Sequence, residues 1–145
     1  MDIITEKQTS WQVLKNINKP VIVYGMGNGA DKVLDRFEQH QIICRGVMAS
    51  DAFVRGQSFR GFKVKKLSEI EEEFSDFAVA LAFASSLPEV MNNIYSVAEK
   101  HMLLVPGVPV FGDEEVDDNF INQNTSSIEK VFSLLADKQS REVFK

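Results

Sequence analysis

The sequence predicts an α/β domain: a mainly parallel sheet flanked by helices, with a helical C-terminal extension. Short apolar runs alternate along the chain with stretches of helical periodicity. A glycine-rich turn, residues 25–30, joins the first such run to the first long amphipathic stretch. No apolar run approaches the roughly 18 residues that a membrane-spanning helix needs.

The elements follow in order. Thr9 and Ser10 suit a helix cap ahead of Trp11, Leu14 and Ile17, and that helix ends before Asn18-Lys19-Pro20. Val21-Ile22-Val23-Tyr24 is apolar throughout and largely β-branched, as a strand buried on both faces should be. Ala30, Val33, Leu34 and Phe37 then recur at helical spacing, with Asp31, Lys32, Asp35 and Arg36 on the opposite side. Residues 42–49 read as a second strand, 52–60 as an irregular loop, and Phe62-Lys63-Val64 as a short third strand. Ser68 is placed to cap an acidic helix over 69–74. Residues 77–84 form another buried strand. Ser86-Leu87-Pro88-Glu89 joins a capping box to a first-turn proline, opening a helix through Val90, Ile94 and Val97. Residues 102–105 make the last parallel strand, closed by Pro106-Gly107-Val108-Pro109.

Composition narrows the function classes. The 145 residues are enough for one domain with a real core. Sixteen Lys and Arg stand against 21 Asp and Glu, a net charge of −5, which argues against nucleic acid or an anionic membrane as the main partner. The opening Met1-Asp2-Ile3-Ile4-Thr5-Glu6 lacks the basic flank and apolar block of a secretory signal. Cys44 is the single cysteine, so there is no disulfide framework, and a cytoplasmic setting is expected.

The chemistry concentrates at Gly25-Met26-Gly27-Asn28-Gly29-Ala30. Strand, then G-x-G-x-x-A, then helix is the context that gives a glycine pattern meaning. Gly25 allows the tight turn, Gly27 lets the backbone approach a phosphate, and Ala30 allows close packing of helix on strand. The helix start offers unpaired N–H groups to an anion. The domain expected is Rossmann-like, with its ligand at the carboxyl ends of the strands, beside the loops after Tyr24, Ala49, Ala84 and Val105. Turn-forming glycines with nothing bound are the structural alternative. Asp51, just past the second strand, either grips ribose hydroxyls or serves as a turn residue. Arg55 and Arg60 flank Gly56-Gln57-Ser58-Phe59, where they grip a phosphate or anchor the loop, and Phe53 or Phe59 is placed to stack on a base. Ser85 and Ser86 act as caps or as ligand contacts. The glycines also fit G-x-G-x-G of methyl-donor sites, but Val23 stands where those sites carry an acid.

No catalytic residue is predicted. His40 and His101 each end a helix without a suitably spaced partner, and Cys44 reads as a buried hydrophobe. Tyr95 is followed four residues on by Glu99 rather than lysine. Glu69, Glu71, Glu72 and Glu73 read as a solvated helix face, and no Cys/His cluster has metal spacing, so no metal is expected. In the tail, residues 117–124 are polar, and Thr125 or Ser126 is placed to cap a helix bearing Ile128, Val131, Phe132 and Leu135. Residues 137–145 begin a further helical pattern with Val143 and Phe144, as if more chain followed. The expected division is 1–112 for the nucleotide-binding domain and 113–145 for a connector.

Four stretches, Val23-Tyr24-Gly25-Met26-Gly27-Asn28-Gly29-Ala30, Gly46-Val47-Met48-Ala49-Ser50-Asp51, Arg55-Gly56-Gln57-Ser58-Phe59-Arg60-Gly61 and residues 137–144, resemble the N-terminal region of bacterial FkbM-type methyltransferases. The resemblance implies a Rossmann-like domain ahead of a catalytic domain that uses S-adenosylmethionine on a sugar or other small polar acceptor. A second resemblance is to the N-terminal nucleotide-sugar-binding domain of sugar O-acyltransferases, with Asn28 where those domains often carry His and Ala49 where they carry an acid. The function expected is a non-catalytic nucleotide- or nucleotide-sugar-binding domain, its partners a small nucleotide ligand and a C-terminal catalytic domain, with homo-oligomerisation left open. An NAD(P)-linked reductase or epimerase fragment, and an interaction domain with an empty glycine loop, are the alternatives.

Overall fold

The computed structural model describes residues 7–109, 111–112, 114 and 116–144. Residues 1–6, with the reading made of them as no secretory signal, lie outside the described residues, as do Val110, Asp113, Glu115 and Lys145. The chain forms two units, Gln8–Val108 and the remainder.

The larger unit is Rossmann-like α/β. Its strands are β1 (Val21–Tyr24), β2 (Cys44–Met48), β3 (Ser58–Phe59), β4 (Phe62–Lys65), β5 (Ala78–Leu81) and β6 (Met102–Leu104). They lie in the order β3-β4-β2-β1-β5-β6, parallel except for β3. The helices are α1 (Ser10–Asn16), α2 (Asn28–His40), α3 (Leu67–Glu73) and α4 (Pro88–Lys100). Alternation along β1 divides the core. Val21 and Val23 face one side, with Trp11 and Leu14 of α1 and Ala30, Val33, Leu34 and Phe37 of α2. Ile22 and Tyr24 face the other, with Ile70 of α3 and Ile94 and Val97 of α4. All four residues of β1 are buried, as are all four of β5, which accounts for their lack of polar alternation. Each valine, isoleucine or leucine among them contributes about 1.5–3 kcal/mol by leaving water.

Local chemistry differs from expectation at several boundaries. The second strand is shorter than 42–49, and the 77–84 strand is confined to Ala78–Leu81. The 52–60 segment is not irregular throughout: β3 and β4 form a hairpin whose two-residue turn has Arg60 at φ 50° and Gly61 at φ 84°. Ser68 does not cap α3. Lys66 is the cap position, and its N–H donates to the Glu69 carboxylate at 2.9 Å. Ser86 forms no capping box either, because α4 starts a residue later, at Pro88, and the Leu87 N–H donates to Ser85 Oγ at 3.2 Å. Thr9 does cap α1, paired reciprocally with Gln12.

In the smaller unit, α5 (Asp118–Leu134) begins at Asp117, whose carboxylate accepts the Phe120 N–H at 2.8 Å. Thr125 and Ser126 are therefore interior to the helix, and the polar 117–124 stretch is almost wholly helical rather than loop. Its side chains bond along the helix, as Asn124 to the Phe120 carbonyl at 2.8 Å. α6 (Lys138–Phe144) returns with Arg141 donating to the Leu135 carbonyl and lying over the Phe132 ring, 5.9 Å from its centroid. Neither helix has a buried residue. Among the described residues, no helix is long and apolar enough to cross a membrane.

The buried hydrophobic core runs from Trp11 to Val97. A chain ended after Val108 should therefore keep a single cooperative thermal transition. Calorimetry checks this, and a broad, non-cooperative melt would place part of the stabilising structure beyond that residue.

Candidate functional site

β2 lies on one side of β1 and β5 on the other, so the chain's crossovers diverge at the carboxyl ends of β1 and β5. A crevice opens at such a point in parallel sheets. Here the backbone of residues 25–30 crosses it, pinned on both sides. The Gly25 N–H donates to the Met48 carbonyl, and the Ala82 N–H to that of Tyr24, each at 2.9 Å. Gly25 has φ 132°, where side chains are strained, and a Cβ there would stand 3.1 Å from the Phe83 ring. The closest approach of helix to strand is at Gly29, where a Cβ would lie 2.1 Å from the Ala82 carbonyl oxygen. Ala30, to which the sequence pattern assigned that packing, is fully buried one residue further along.

Gly27 is the contrast. It is the cap residue of α2, with extended backbone and no side-chain bond, and a Cβ there would meet nothing within 4 Å. No acceptor among the described residues takes the N–H of Gly27, Asn28, Gly29 or Ala30. Open donors at the positive end of a 13-residue helix can stabilise a negative charge placed beside them.

Beside it, on the α3/α4 side, lies a cleft of about 690 Å³. Met48, Phe53, Leu67, Leu87 and Val90 supply apolar walls, while Tyr24, Ser50, Asp51, Glu89, Asn93 and Ser96 supply polar groups. Tyr24 Oη and Ser50 Oγ share a 2.7 Å hydrogen bond, and Phe83 meets the Tyr24 ring edge-on. Asp51 opens the 3-10 turn Asp51–Phe53, exposed, with no side-chain partner among the described residues. Tyr24 and Asp51 line the cleft; residues 25–30, Arg55, Ser85 and Ser86 do not. Arg55 is exposed, and Ser85 is engaged with Leu87. Met26 is half-buried and touched by the Gln57 amide at 3.2 Å; the same side chain bonds Phe53 O and Arg55 N, tying the two loops together. Arg60 turns away to Asp31, Asp35 and Glu38 of α2, 2.8 Å from Asp35, so it anchors its hairpin. Sequence reasoning missed the Tyr24–Ser50 pair and the cleft-facing Asn93 and Ser96, since one strand tyrosine and two helix polar residues carry no motif.

The histidines are structural. His40 stacks on Trp11, with ring centroids 5.2 Å apart. His101 does have a partner, contrary to the expectation from its neighbours in sequence: Nε2 lies 3.0 Å from Glu71 Oε1, and the ring stacks on Phe77. The hydrogen bond from His101, aided by Lys100, holds the Glu71 carboxyl below its ordinary range. Glu69 caps α3 and Glu73 pairs with Lys65, so the acidic face is more than a solvated run. Burial pushes the Cys44 thiol up, away from reactive thiolate. Among the described residues no group of three or more His, Cys, Asp or Glu side chains could hold a metal ion.

No family model and no curated protein matches the chain. A solved structure described as a crystal structure of RSP, a Rex-family repressor, is similar at a TM-score of 0.46 and 15% identity, covering 83% of this chain. The matched region spans 65% of that structure's length. At that level the likeness assigns neither ligand nor partner.

Two outcomes follow from the geometry. Gly29→Ala should destabilise the domain by about 1–3 kcal/mol, since the added methyl overlaps backbone; denaturant titration measures it, and an unchanged midpoint would contradict the close approach. Because the folded-state pKa of Glu71 is lowered, its contribution is complete above the ordinary carboxylate value of about 4.3 and disappears as pH falls through the lower folded value. The melting-temperature gap between the parent chain and Glu71→Gln should thus be present at neutral pH and close in acid. A gap that persists to the acid limit of folding would count against the His101–Glu71 bond.

Proposed function

We propose that the chain is a nucleotide-binding domain that holds a phosphate of a nucleotide or nucleotide-sugar at the amino end of α2. The observation that carries this reading is the run of unpaired N–H groups at residues 27–30, with open space over Gly27, at the switch in strand order. Such a cradle stabilises negative charge without a lysine, because the donors are fixed by the helix before the ligand arrives. The adjoining cleft is large enough for a nucleoside, with Phe53 available for stacking and Asp51 for ribose hydroxyls.

The reading also holds that this domain binds rather than catalyses, since His40, His101 and Cys44 are occupied in packing or buried. We propose further that it is the N-terminal part of an FkbM-type methyltransferase, with S-adenosylmethionine serving a separate catalytic domain. That step rests on the loop resemblance alone. A second reading, an NAD(P)-linked reductase or epimerase fragment, draws on the partnerless Asp51 carboxylate at the cleft.

Gly27→Val separates binding from folding, because the fold leaves room for a side chain there. Calorimetric titration with nucleotide-sugars, NAD(P) and S-adenosylmethionine should find a ligand that the variant binds at least about ten-fold more weakly, about 1.4 kcal/mol. Equal binding by both proteins would move the site elsewhere. Binding of none of these compounds by the parent chain would favour the interaction domain with an empty loop.

A further inference from the structure

The crevice sorts charge between its two halves. Three helices begin at the carboxyl edge of the sheet, α2, α3 and α4, and each could in principle attract an anion. α3 carries an acid, Glu69, in its first turn, and that carboxylate accepts the Lys66 N–H. α4 opens with Pro88, which has no N–H, and then with Glu89. α2 opens instead with Asn28-Gly29-Ala30, without an acid or a proline at these positions, and its first-turn acid, Asp31, is drawn toward Arg60.

The cleft repeats the pattern. Among the described residues its lining contains no Lys or Arg, and the two charged ones are Asp51, after β2, and Glu89, at the start of α4. The remaining polar groups are the Tyr24 and Ser50 hydroxyls, which bond each other, Asn93, whose amide both donates and accepts, and Ser96, whose hydroxyl donates to the Asn92 carbonyl and keeps its acceptor capacity. Two carboxylates and no cation make this a poor place for a second phosphate and a good one for hydroxyl donors.

Resting on the nucleotide reading above, we propose that Glu89 is a specificity-determining residue: facing the cleft with Asp51, it admits a nucleotide whose ribose 2′- and 3′-hydroxyls are free and excludes one that carries a phosphate on either. The ligand then lies across Gly25, its 5′-phosphates on the α2 side and its sugar and base on the α3/α4 side. A carboxylate in the first turn of a helix also favours that helix by itself. That structural role would change stability in a Glu89 variant and leave ligand preference where it was, so preference is the readout.

ADP and adenosine 2′,5′-bisphosphate carry two phosphates each, and only the second has one on the ribose 2′-oxygen. The full chain, Glu89→Gln and Glu89→Lys are titrated with both, and with the uridine counterparts in parallel. The parent chain should prefer the 5′-diphosphate by at least about ten-fold, Glu89→Gln should narrow that ratio, and Glu89→Lys should narrow it further or invert it. A ratio that is the same in all three proteins, or a parent chain that prefers the 2′-phosphorylated ligand, overturns the role of Glu89 while leaving nucleotide binding intact. If none of these nucleotides binds the parent chain, the nucleotide reading falls and this proposal with it.

Discussion

The carboxyl edge of the sheet depends on how closely α2 approaches the end of β5. With no side chain at Gly29, the first turn of the helix sits directly against the Ala82 carbonyl, and Gly25 is held between Met48 and Ala82. That contact fixes both the height of the helix start above the sheet and the direction of its free N–H groups. Side chains at either glycine would push α2 outward, separating the donors of residues 27–30 from the crevice. Burial of Ala30, Val33, Leu34 and Phe37 then holds the helix along its length, so the cradle is set by the core rather than by a flexible loop.

The other wall is built differently. Between β2 and β4 the connection contains no α-helix, only a 3-10 turn and a short hairpin. A segment with so little core of its own needs local ties. Gln57 supplies three, to Phe53, Arg55 and Met26. Arg60 supplies the rest, joining the hairpin tip to three carboxylates of α2. Its left-handed backbone is unfavourable for a residue with a side chain by about 1–2 kcal/mol. The network of partners offsets that cost, and places the guanidinium where glycine or asparagine, the usual turn residues, have nothing to offer.

What was legible in the sequence follows from the range of the interactions involved. β1 and β5 read correctly because strands buried on both faces have no polar alternation, and α2 because four buried residues recur at helical spacing. The failures lie at caps. Glu69, Pro88 and Asp117 each outcompeted the serine or threonine nearby, because a side chain three residues on, a fixed φ or an acidic side chain decides where a helix begins. The glycine loop was legible as a motif, but the division of labour within it was not. Which glycine meets a carbonyl and which faces open space depends on β5, more than fifty residues away. The pairing of His101 with Glu71, thirty residues apart, was hidden for the same reason.

Charge gives the last connection between fold and chemistry. A chain of net −5 is not an obvious host for a phosphate, and Arg60, placed by sequence beside the loop, is spent on α2. A phosphate held at residues 27–30 is instead held by backbone dipoles, whose strength depends on geometry and desolvation more than on net charge. Affinity of that kind resists salt better than attraction between exposed charges, which is screened within about 8–10 Å at physiological ionic strength. It also needs the rest of the crevice to refuse competing anions. The carboxylates of Asp51 and Glu89 suit that requirement, because acids kept off the α2 donors and set at the neighbouring cleft leave one favourable orientation for a ligand with a charged end and a neutral one.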